Sequence, residues 1–184
     1  MALSDGDRRR LLHLAREAVR LAATERQHVE VPKEAGELAE PRAVFVTLHK
    51  GGDLRGCIGS TVARYPLYRA VTESAYSAAT NDPRFSPVTI EELPAIEIEI
   101  SVLSPFMHIR PSEIIVGTHG LYVSSGLQRG LLLPQVAVEH HLTAERFLEE
   151  TCRKAGLSRD AWKQDSRIQA FTAEVFGDKP TAPA

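Results

Sequence analysis

The chain has 184 residues, 43% of them hydrophobic, and a formal net charge of -2 from 22 Lys and Arg against 24 Asp and Glu. That length suits a single domain with a sizeable core, and the balanced charge argues against a dedicated nucleic-acid surface. No apolar run reaches the roughly 18 residues of a membrane span, and the N-terminus lacks the pattern of a signal peptide. With two cysteines and no secretion signal, the sequence predicts a cytoplasmic protein with reduced thiols and no membrane contact.

A helix and a hairpin are predicted in the first third of the chain. Residues 8–23 carry apolar side chains at helical spacing and predict an amphipathic helix that packs on a core. The stretches "AVFVTLHK" (43–50) and "LRGCIGS" (54–60) flank the turn residues "GGD". This arrangement is typical of a β-hairpin.

The middle third predicts another helix and a half-buried strand. Pro66 is a good first residue for the helix, and Thr89 and Glu92 have capping-box spacing in a short turn stopped by Pro94. The stretch "AIEIEISVL" (95–103) alternates apolar and polar residues. It predicts a strand with one apolar face and one polar face that is available for chemistry.

The last third predicts a second hairpin, a helix and a final strand. "HGLYVSS" (119–125) and "LLLP" (131–134) form the hairpin, and Thr143 caps a helix that Gly156 ends. The final strand is predicted over 171–175. Because these elements lack a regular βαβ order, the predicted fold class is α+β, with a mainly antiparallel sheet and flanking helices.

The stretch "LRGCIGS" raises the question of whether Cys57 is a working thiol. A regular strand places Arg55 and Cys57 on one face and their neighbours on the other. The guanidinium would favour the thiolate, and Gly59, without a side chain, would leave the sulfur open to a ligand. This interpretation predicts a pocket with a reactive cysteine.

A structural role for Cys57 is the alternative. A two- or four-residue loop in the hairpin pairs Cys57 with Val46 or Leu48, where it would be a small apolar residue in the core. A three-residue turn with a bulge would change this facing. Cys152 lies on the apolar stripe of its predicted helix, which indicates core packing.

The charged residues near the predicted strands also have two alternative interpretations. Asp82, Arg84, Glu97 and Glu99 either form an ion-pair network around Arg55 or line a site as acid, base and anchor. No P-loop, GxGxxG after a strand or GxSxG elbow occurs in the sequence. The motifs of common nucleotide-dependent enzymes and hydrolases are therefore missing.

The histidines do not predict a metal site. His140 and His141 adjoin Glu139, but adjacent histidines diverge on a helix or strand, and neither CxxC nor HExxH spacing occurs. His119, in "THGLY", is a better polar candidate because glycines 117 and 120 favour close backbone approach. No metal or other cofactor is predicted.

Several motifs together resemble the AMMECR family over residues 8–177. They occur in the family order: "LRGCIGS", "NDPRFSPVTIEEL", "IEISVLSP", "HGLYV", "GLLLPQVAVEH" and "FLEETCRKAGL". The string "LRGCIG" is specific, and the whole series makes chance agreement very improbable. The resemblance implies one AMMECR domain over residues 8–177, followed by a flexible tail over 178–184.

The resemblance also implies an internal organisation and a site. It predicts a larger α+β subdomain that contains both termini and a smaller subdomain from the middle of the chain. The functional centre is expected at "LRGCIG", around Arg55 and Cys57. The ligand-binding residues predicted from the matching motifs are Leu54, Gly56, Ile58, Gly59, Arg84 and Gln135.

Partners are implied only through the family. Microbial members are often encoded with, or fused to, a Memo-type protein and a radical SAM protein, so such partners would act in trans here. The chain departs from the family at His140 and His141, near a position where relatives tend to carry an aromatic residue such as Trp. A ligand or partner contact made by that aromatic residue would be altered.

Three functional hypotheses follow. In the first, the chain is an enzyme or enzyme component in which Cys57 is a nucleophile or redox thiol, Arg55 binds an anion or the thiolate, and Glu99 or His119 handles protons. In the second, the same cleft binds a small molecule or a protein partner without a covalent step. The third, an RNA-modification role, has support only from a proposal made for the family and from the basic residues 8–10.

Overall fold

The computed structural model describes residues 2–164 and 166–178 and divides into two compact units. The first unit comprises the described residues up to Leu103 and from Glu174 onward, and the second comprises Ser104–Ala173. No helix among the described residues is both long and apolar enough to span a bilayer. The predicted tail over 178–184 lies outside the described residues except for Asp178.

Both units combine helices with antiparallel strands, which confirms the predicted α+β class. The α-helices are α1 (Asp5–Thr24), α2 (Leu67–Thr80), α3 (Pro134–Glu139) and α4 (Ala144–Lys154). The strands are β1 (Val44–Lys50), β2 (Asp53–Ser60), β3 (Ile96–Leu103), β4 (Met107–His108), β5 (Gly120–Ser125), β6 (Gln128–Leu132), β7 (Arg167–Phe171) and β8 (Ala173–Gly177).

Each unit has its own sheet and its own core. The first sheet has the order β2-β1-β3-β8, and the second has the order β4-β7-β5-β6. In the first unit, α1 and α2 bury their apolar faces with Val46 and Leu48 of β1 and Ile98 and Ile100 of β3. In the second, Phe147 and other side chains of α3 and α4 form the core with β5 and β7. Burial of these apolar faces is the main driving force for packing each sheet against its helices.

Helix α1 begins three residues before the predicted boundary because of a capping box. Ser4 Oγ accepts the Asp7 amide at 3.1 Å, and the Asp7 carboxylate accepts the Ser4 amide at 3.2 Å. These two bonds satisfy amide groups that a helix N-terminus otherwise leaves unpaired. The apolar periodicity could not reveal them because residues 4–7 are polar.

The prediction of one final strand over 171–175 is wrong. The chain forms two strands there, and β7 belongs to the second sheet while β8 belongs to the first. Thr172 separates them, because its amide and carbonyl bond with Ser104 Oγ and the Ser104 amide, each at 2.9 Å. The alternation of Phe171, Ala173 and Val175 continues through this point without a break, so it does not show the change of sheet. The short elements β4 and α3 were also not predicted.

The first hairpin contains a bulge that changes the predicted facing of Cys57. Gly51 and Gly52 form the turn with φ angles of 63° and 90°, and Lys50 pairs with Asp53. His49 then pairs with Leu54 but Leu48 pairs with Gly56, so the bulge contains one extra residue, Arg55. From Gly56 onward, every pair between β2 and β1 is therefore shifted by one residue relative to a hairpin without the bulge.

Cys57 consequently pairs with Thr47. The predicted partners Val46 and Leu48 are wrong, because both side chains face the helices while Thr47 faces the other side of the sheet. The expectation that Leu54 and Gly56 share a face is wrong for the same reason. Leu54 now lies on the face of Cys57.

Gly56 and Gly59 allow close backbone packing. A Cβ atom on Gly56 would collide with the carbonyl oxygen of Ala78 in α2. A Cβ atom on Gly59 would collide with the Val44 carbonyl oxygen and with Phe45. The two glycines of "GCIG" therefore let β2 approach α2 and β1 closely.

The outer edge of β2 is bonded to side chains rather than to another strand. The Asp82 carboxylate accepts the Cys57 amide at 2.8 Å, and Arg84 donates to both oxygens of that carboxylate at 2.9 and 2.7 Å. Arg84 also donates to the Cys57 carbonyl at 3.5 Å. The Arg84 guanidinium, with the Cys57 and Arg84 amides, holds the pKa of the buried Asp82 well below its usual range.

Replacing Gly56 should destabilise the fold. We expect Gly56→Ala to lower the free energy of unfolding by about 1–3 kcal/mol, because the new Cβ forces α2 away from β2. Urea denaturation of the purified chain measures this. Gly6→Ala is the matched control, since its Cβ would meet only Ser4 Oγ at 3.6 Å. Equal stability of the two variants would contradict the close packing.

The charge on Asp82 should stabilise the fold at neutral pH. Because its pKa is depressed in the folded state, its contribution is present above the unfolded pKa and is lost as the pH falls below about 4. We expect the stability difference between wild type and Asp82→Asn to be largest near pH 7 and to shrink below about pH 4. Urea denaturation across this range tests it, with exposed Asp53→Asn as the control. A difference that does not change with pH would contradict the ion pair.

Candidate functional site

The first sheet has a polar face on the side opposite α1 and α2. We define this polar sheet face by Thr47 and His49 of β1, Cys57 of β2, and Glu97 and Glu99 of β3. The register places Cys57 opposite Thr47, Thr47 opposite Glu99, and His49 opposite Glu97. A thiol, a hydroxyl, an imidazole and two carboxylates thus lie on neighbouring strands.

Cys57 is half-buried on this face and has a polar neighbour. The Thr47 hydroxyl donates a hydrogen bond to Cys57 Sγ at 3.3 Å, and Thr47 is 8% exposed. Cys152 differs, because it lies in α4 and is fully buried, as predicted. Burial raises the pKa of the Cys152 thiol. Of the two free cysteines, Cys57 is the one that solvent can reach.

Arg55 is bonded to a carboxylate that the sequence did not associate with it. Its guanidinium donates to the two oxygens of Glu92 at 3.0 and 2.9 Å and to the Ser86 carbonyl at 3.0 Å. Lys50 donates to Glu92 at 2.9 Å as well. Arg55 and Lys50 hold the pKa of Glu92 well below its usual range. The Arg55 side chain is 13% exposed and the Glu92 side chain is 15% exposed. This largely buried, bidentate ion pair ties β2 firmly to the turn that contains Glu92.

Arg84 is the second cation beside the motif. Its bonds to Asp82 raise the pKa of the guanidinium, and the charge of a Cys57 thiolate would raise it further. The centre of the Phe85 ring is 5.9 Å from the Arg55 guanidinium and 5.5 Å from that of Arg84, within the range of cation–π contacts. Of the network predicted around Arg55, Asp82 pairs with Arg84, whereas Arg55 itself pairs with Glu92, which was not a predicted member. Glu97 and Glu99 lie on β3, opposite His49 and Thr47.

The other predicted ligand residues of β2 have different surroundings. Leu54 is 40% exposed and shares the face of Cys57, whereas Ile58 packs against the helical core. Ile58, Gly59 and Ser60 border a cavity of about 300 Å³ that α2 also lines. The Cys57 side chain does not line it. The motif therefore borders two separate surfaces, the polar sheet face and this cavity.

Two predicted residues belong to the second unit. His119 Nδ1 accepts the Ile115 amide at 3.1 Å, which orients the ring within a turn. Gln135 lies in the first turn of α3 and is half-buried. All other predicted site residues, including Glu99, belong to the first unit.

Most of the basic residues near the N-terminus have partners. Arg8 donates to Glu174 at 2.9 and 2.7 Å, and Arg10 donates to Glu34 at 2.8 Å. These pairs reduce the charge that residues 8–10 could offer to a polyanion such as RNA.

Sequence reasoning missed Thr47, His49 and Glu92 as neighbours of the motif. The alternation in "FVTLHK" places Thr47 and His49 on one face, but only the bulge brings Cys57 to that face. Glu92 was predicted as a capping residue, and its carboxylate does accept the Thr89 amide at 3.0 Å.

Within residues 2–164 and 166–178, no group of three or more His, Cys, Asp or Glu side chains could hold a metal ion.

Comparison with known proteins identifies the same family as the sequence motifs do. The AMMECR1 family model matches residues 12–176. Protein PF1979 of Pyrococcus furiosus is 44% identical over 187 residues, which cover 94% of this chain and 89% of that protein. A protein of Methanothermobacter thermautotrophicus is 44% identical over 183 residues, which cover 95% of each chain.

A solved structure matches the fold as well. The crystal structure of protein PH0010 from Pyrococcus horikoshii has a TM-score of 0.87 to this chain at 42% identity. The match covers 92% of this chain and 90% of that one. The resemblance inferred from the motifs is confirmed, and the chain belongs to the AMMECR1 family.

Proposed function

We propose that this protein is a thiol-dependent enzyme component in which the Cys57 sulfur contacts the substrate on the polar sheet face. The observation that supports this proposal is the half-buried Cys57 thiol, which accepts a hydrogen bond from Thr47 and lies outside the core. A core cysteine would have apolar neighbours and no access to solvent. A hydroxyl donor stabilises a thiolate, which is the nucleophilic form of cysteine.

Two neighbouring groups are suited to move the thiol proton. His49 lies diagonally across from Cys57, a spacing of about 7–8 Å that side chains of this length can span. Glu97, opposite His49, is suited to orient its imidazole, and Glu99 lies opposite Thr47. We assign proton transfer to His49 and Glu99. Arg55 has a positioning role through its bonds to Glu92 and Ser86.

The partners proposed for this reaction are a Memo-type protein and a radical SAM protein acting in trans. This part rests on the family resemblance. It can be tested by replacing the native gene with a Cys57→Ser version and comparing metabolite profiles with those of strains that lack each of the three proteins. We expect all four strains to share the same changed metabolites. A Cys57→Ser strain with normal protein level and a wild-type profile would exclude the thiol mechanism.

A non-covalent binding module is the second candidate, favoured by the cavity of about 300 Å³ beside Ile58 and Gly59. The cavity has the size of a small ligand pocket. In this case Ser77→Tyr, which places a large ring in the cavity wall, should reproduce the changed metabolite profile, whereas Cys57→Ser should not. The opposite pattern would reject the binding module.

The two cysteines should differ in reactivity. We expect iodoacetamide at pH 7 to modify Cys57 in the native protein and Cys152 only after denaturation, because Cys152 is fully buried and its pKa is raised. Mass spectrometry of tryptic peptides distinguishes the sites. Labelling of neither cysteine before unfolding would contradict an accessible Cys57.

The hydroxyl of Thr47 should increase this reactivity. We expect Thr47→Val to slow labelling of Cys57 by about tenfold at pH 7, since a hydrogen bond to a charged group contributes about 1.5–3 kcal/mol. Thr61→Val makes the same change just beyond β2 and serves as the control. A Thr47→Val rate equal to that of the control would show that the hydroxyl does not stabilise the thiolate.

A further inference from the structure

The second unit contains a large cavity that is separate from the residues assigned to the thiol chemistry. Its volume is about 1020 Å³, and it lies between the end of α3, the loop that follows and one face of α4. Leu132, Val136 and Leu142 form its apolar part. The volume is at the upper end of the range for small-molecule sites, about 300–1,000 Å³.

Positive charge dominates the polar part of this cavity. Arg146, Arg153, Lys154 and Arg159 line it together with a single carboxylate, that of Glu150. Arg146 donates to Glu149, outside the cavity lining, at 2.8 Å. Glu150 is shared by Arg153 at 3.5 Å and Arg159 at 3.8 Å, so it can neutralise only one of them. In the part of the chain that the structure describes, Lys154 has no carboxylate within ion-pair distance. The guanidinium groups are more than half exposed and can reach a ligand.

The cavity wall also contains a strained histidine. Helices α3 and α4 end in the same motif, in which two amides after the helix bond back to its last turn. In α4 the left-handed position is Gly156, with φ of 75°. In α3 it is His141, with φ of 50°, where the Leu142 amide bonds to Ala137 at 2.8 Å.

A histidine at this position has a conformational cost that glycine does not have. Strain of this kind often accompanies a functional role for the side chain. The strained backbone places His141 in the cavity wall beside His140 and the four cationic side chains. Both imidazoles can donate hydrogen bonds to an anion or stack on a planar group.

The spacing of the arginines indicates a ligand with more than one anionic group. Arg146 and Arg153 are seven residues apart on one face of α4, which corresponds to about 10.5 Å along the helix. Two linked phosphates can engage both guanidinium groups with less bending of the side chains than a single phosphate requires. Guanidinium groups bind phosphate oxygens in bidentate geometry, and the apolar part of the cavity can accept a planar base.

We propose that this cavity binds a small phosphorylated molecule of the nucleoside diphosphate class, with its phosphates on the arginines of α4 and its base against Leu132, Val136 and Leu142. The site does not depend on Cys57. The cavity proposal can therefore fail while the thiol proposal holds, and the reverse is also true.

Isothermal titration calorimetry with ADP, pyrophosphate and adenosine tests the site in the full chain. We expect ADP to bind more tightly than pyrophosphate and adenosine to bind very weakly. Arg153→Gln should weaken ADP binding at least about tenfold through loss of a charge-assisted bond. Arg110→Gln is the control, because Arg110 belongs to the same unit, pairs with Glu113 and lies outside the cavity. The proposal is overturned by absence of ADP binding at millimolar concentration, or by equal affinities of the two variants.

His141→Gly supplies an independent test with two readouts. We expect the melting temperature to rise by about 2–4 °C because glycine relieves the positive φ. ADP affinity should fall several-fold in the same variant because the imidazole is lost. A variant that is more stable and binds ADP as well as wild type would contradict a role for His141 in binding.

Titration with a single-stranded oligoribonucleotide distinguishes a small molecule from RNA. We expect the oligonucleotide to bind more weakly than ADP. Tighter oligonucleotide binding that is lost in Arg153→Gln and falls steeply with salt would overturn the small-molecule proposal and identify an RNA surface.

Discussion

The bulge at Arg55 is the constraint on which the rest of the first unit depends. One extra residue in β2 brings Cys57 opposite Thr47 on the polar sheet face. The same bulge leaves Arg55 without a cross-strand partner, so its side chain extends to Glu92 and Ser86. Gly56 then lies against the Ala78 carbonyl of α2, where no side chain fits. A register without the bulge would turn the thiol toward the core.

Carboxylates hold this arrangement in place from outside the sheet. Glu92 binds the side chain of Arg55, while Asp82 binds the backbone amide of Cys57 at the edge of β2. Both carboxyl groups have pKa values well below their usual range because of their cationic partners. At Cys57, the edge of β2 is therefore covered by the charged side chains of Asp82 and Arg84. They protect this part of the strand edge from pairing with a strand of another chain. The Cys57 backbone is held rigidly while its side chain remains accessible.

The two units use positive charge in different ways. In the first unit, Arg8, Arg10, Arg55 and Arg84 each bond to a carboxylate at 3.0 Å or less. In the second unit, Arg146 bonds to Glu149 outside the cavity lining, and Arg153 and Arg159 share Glu150, the single lining carboxylate, at 3.5 and 3.8 Å. Ion pairs of the first kind fix local structure, whereas an excess of cations is suited to an anionic ligand. Strain at His141 in the same cavity is consistent with a side chain retained for binding rather than stability.

Much of the fold could be read from the sequence because local patterns determine local elements. Apolar periodicity and capping residues located α1, α2, α4 and the central strands, and the series of motifs around "LRGCIG" identified the family. The Schellman-type end of α4 followed from Gly156 alone. The equivalent end of α3 could not be predicted, since a histidine there gives no signal for a positive φ.

What the sequence determined by itself is the set of chemical groups, the α+β class and the family. Only the tertiary structure decided which groups meet. The bulge shifted the register by one residue, and because side chains in a strand alternate between faces, that shift exchanged the neighbours of Cys57. Arg55 pairs with Glu92 rather than with acidic residues that are nearer in the sequence, because the segment after α2 folds back onto β2. Such choices depend on contacts between distant segments, and no local pattern of residues specifies them.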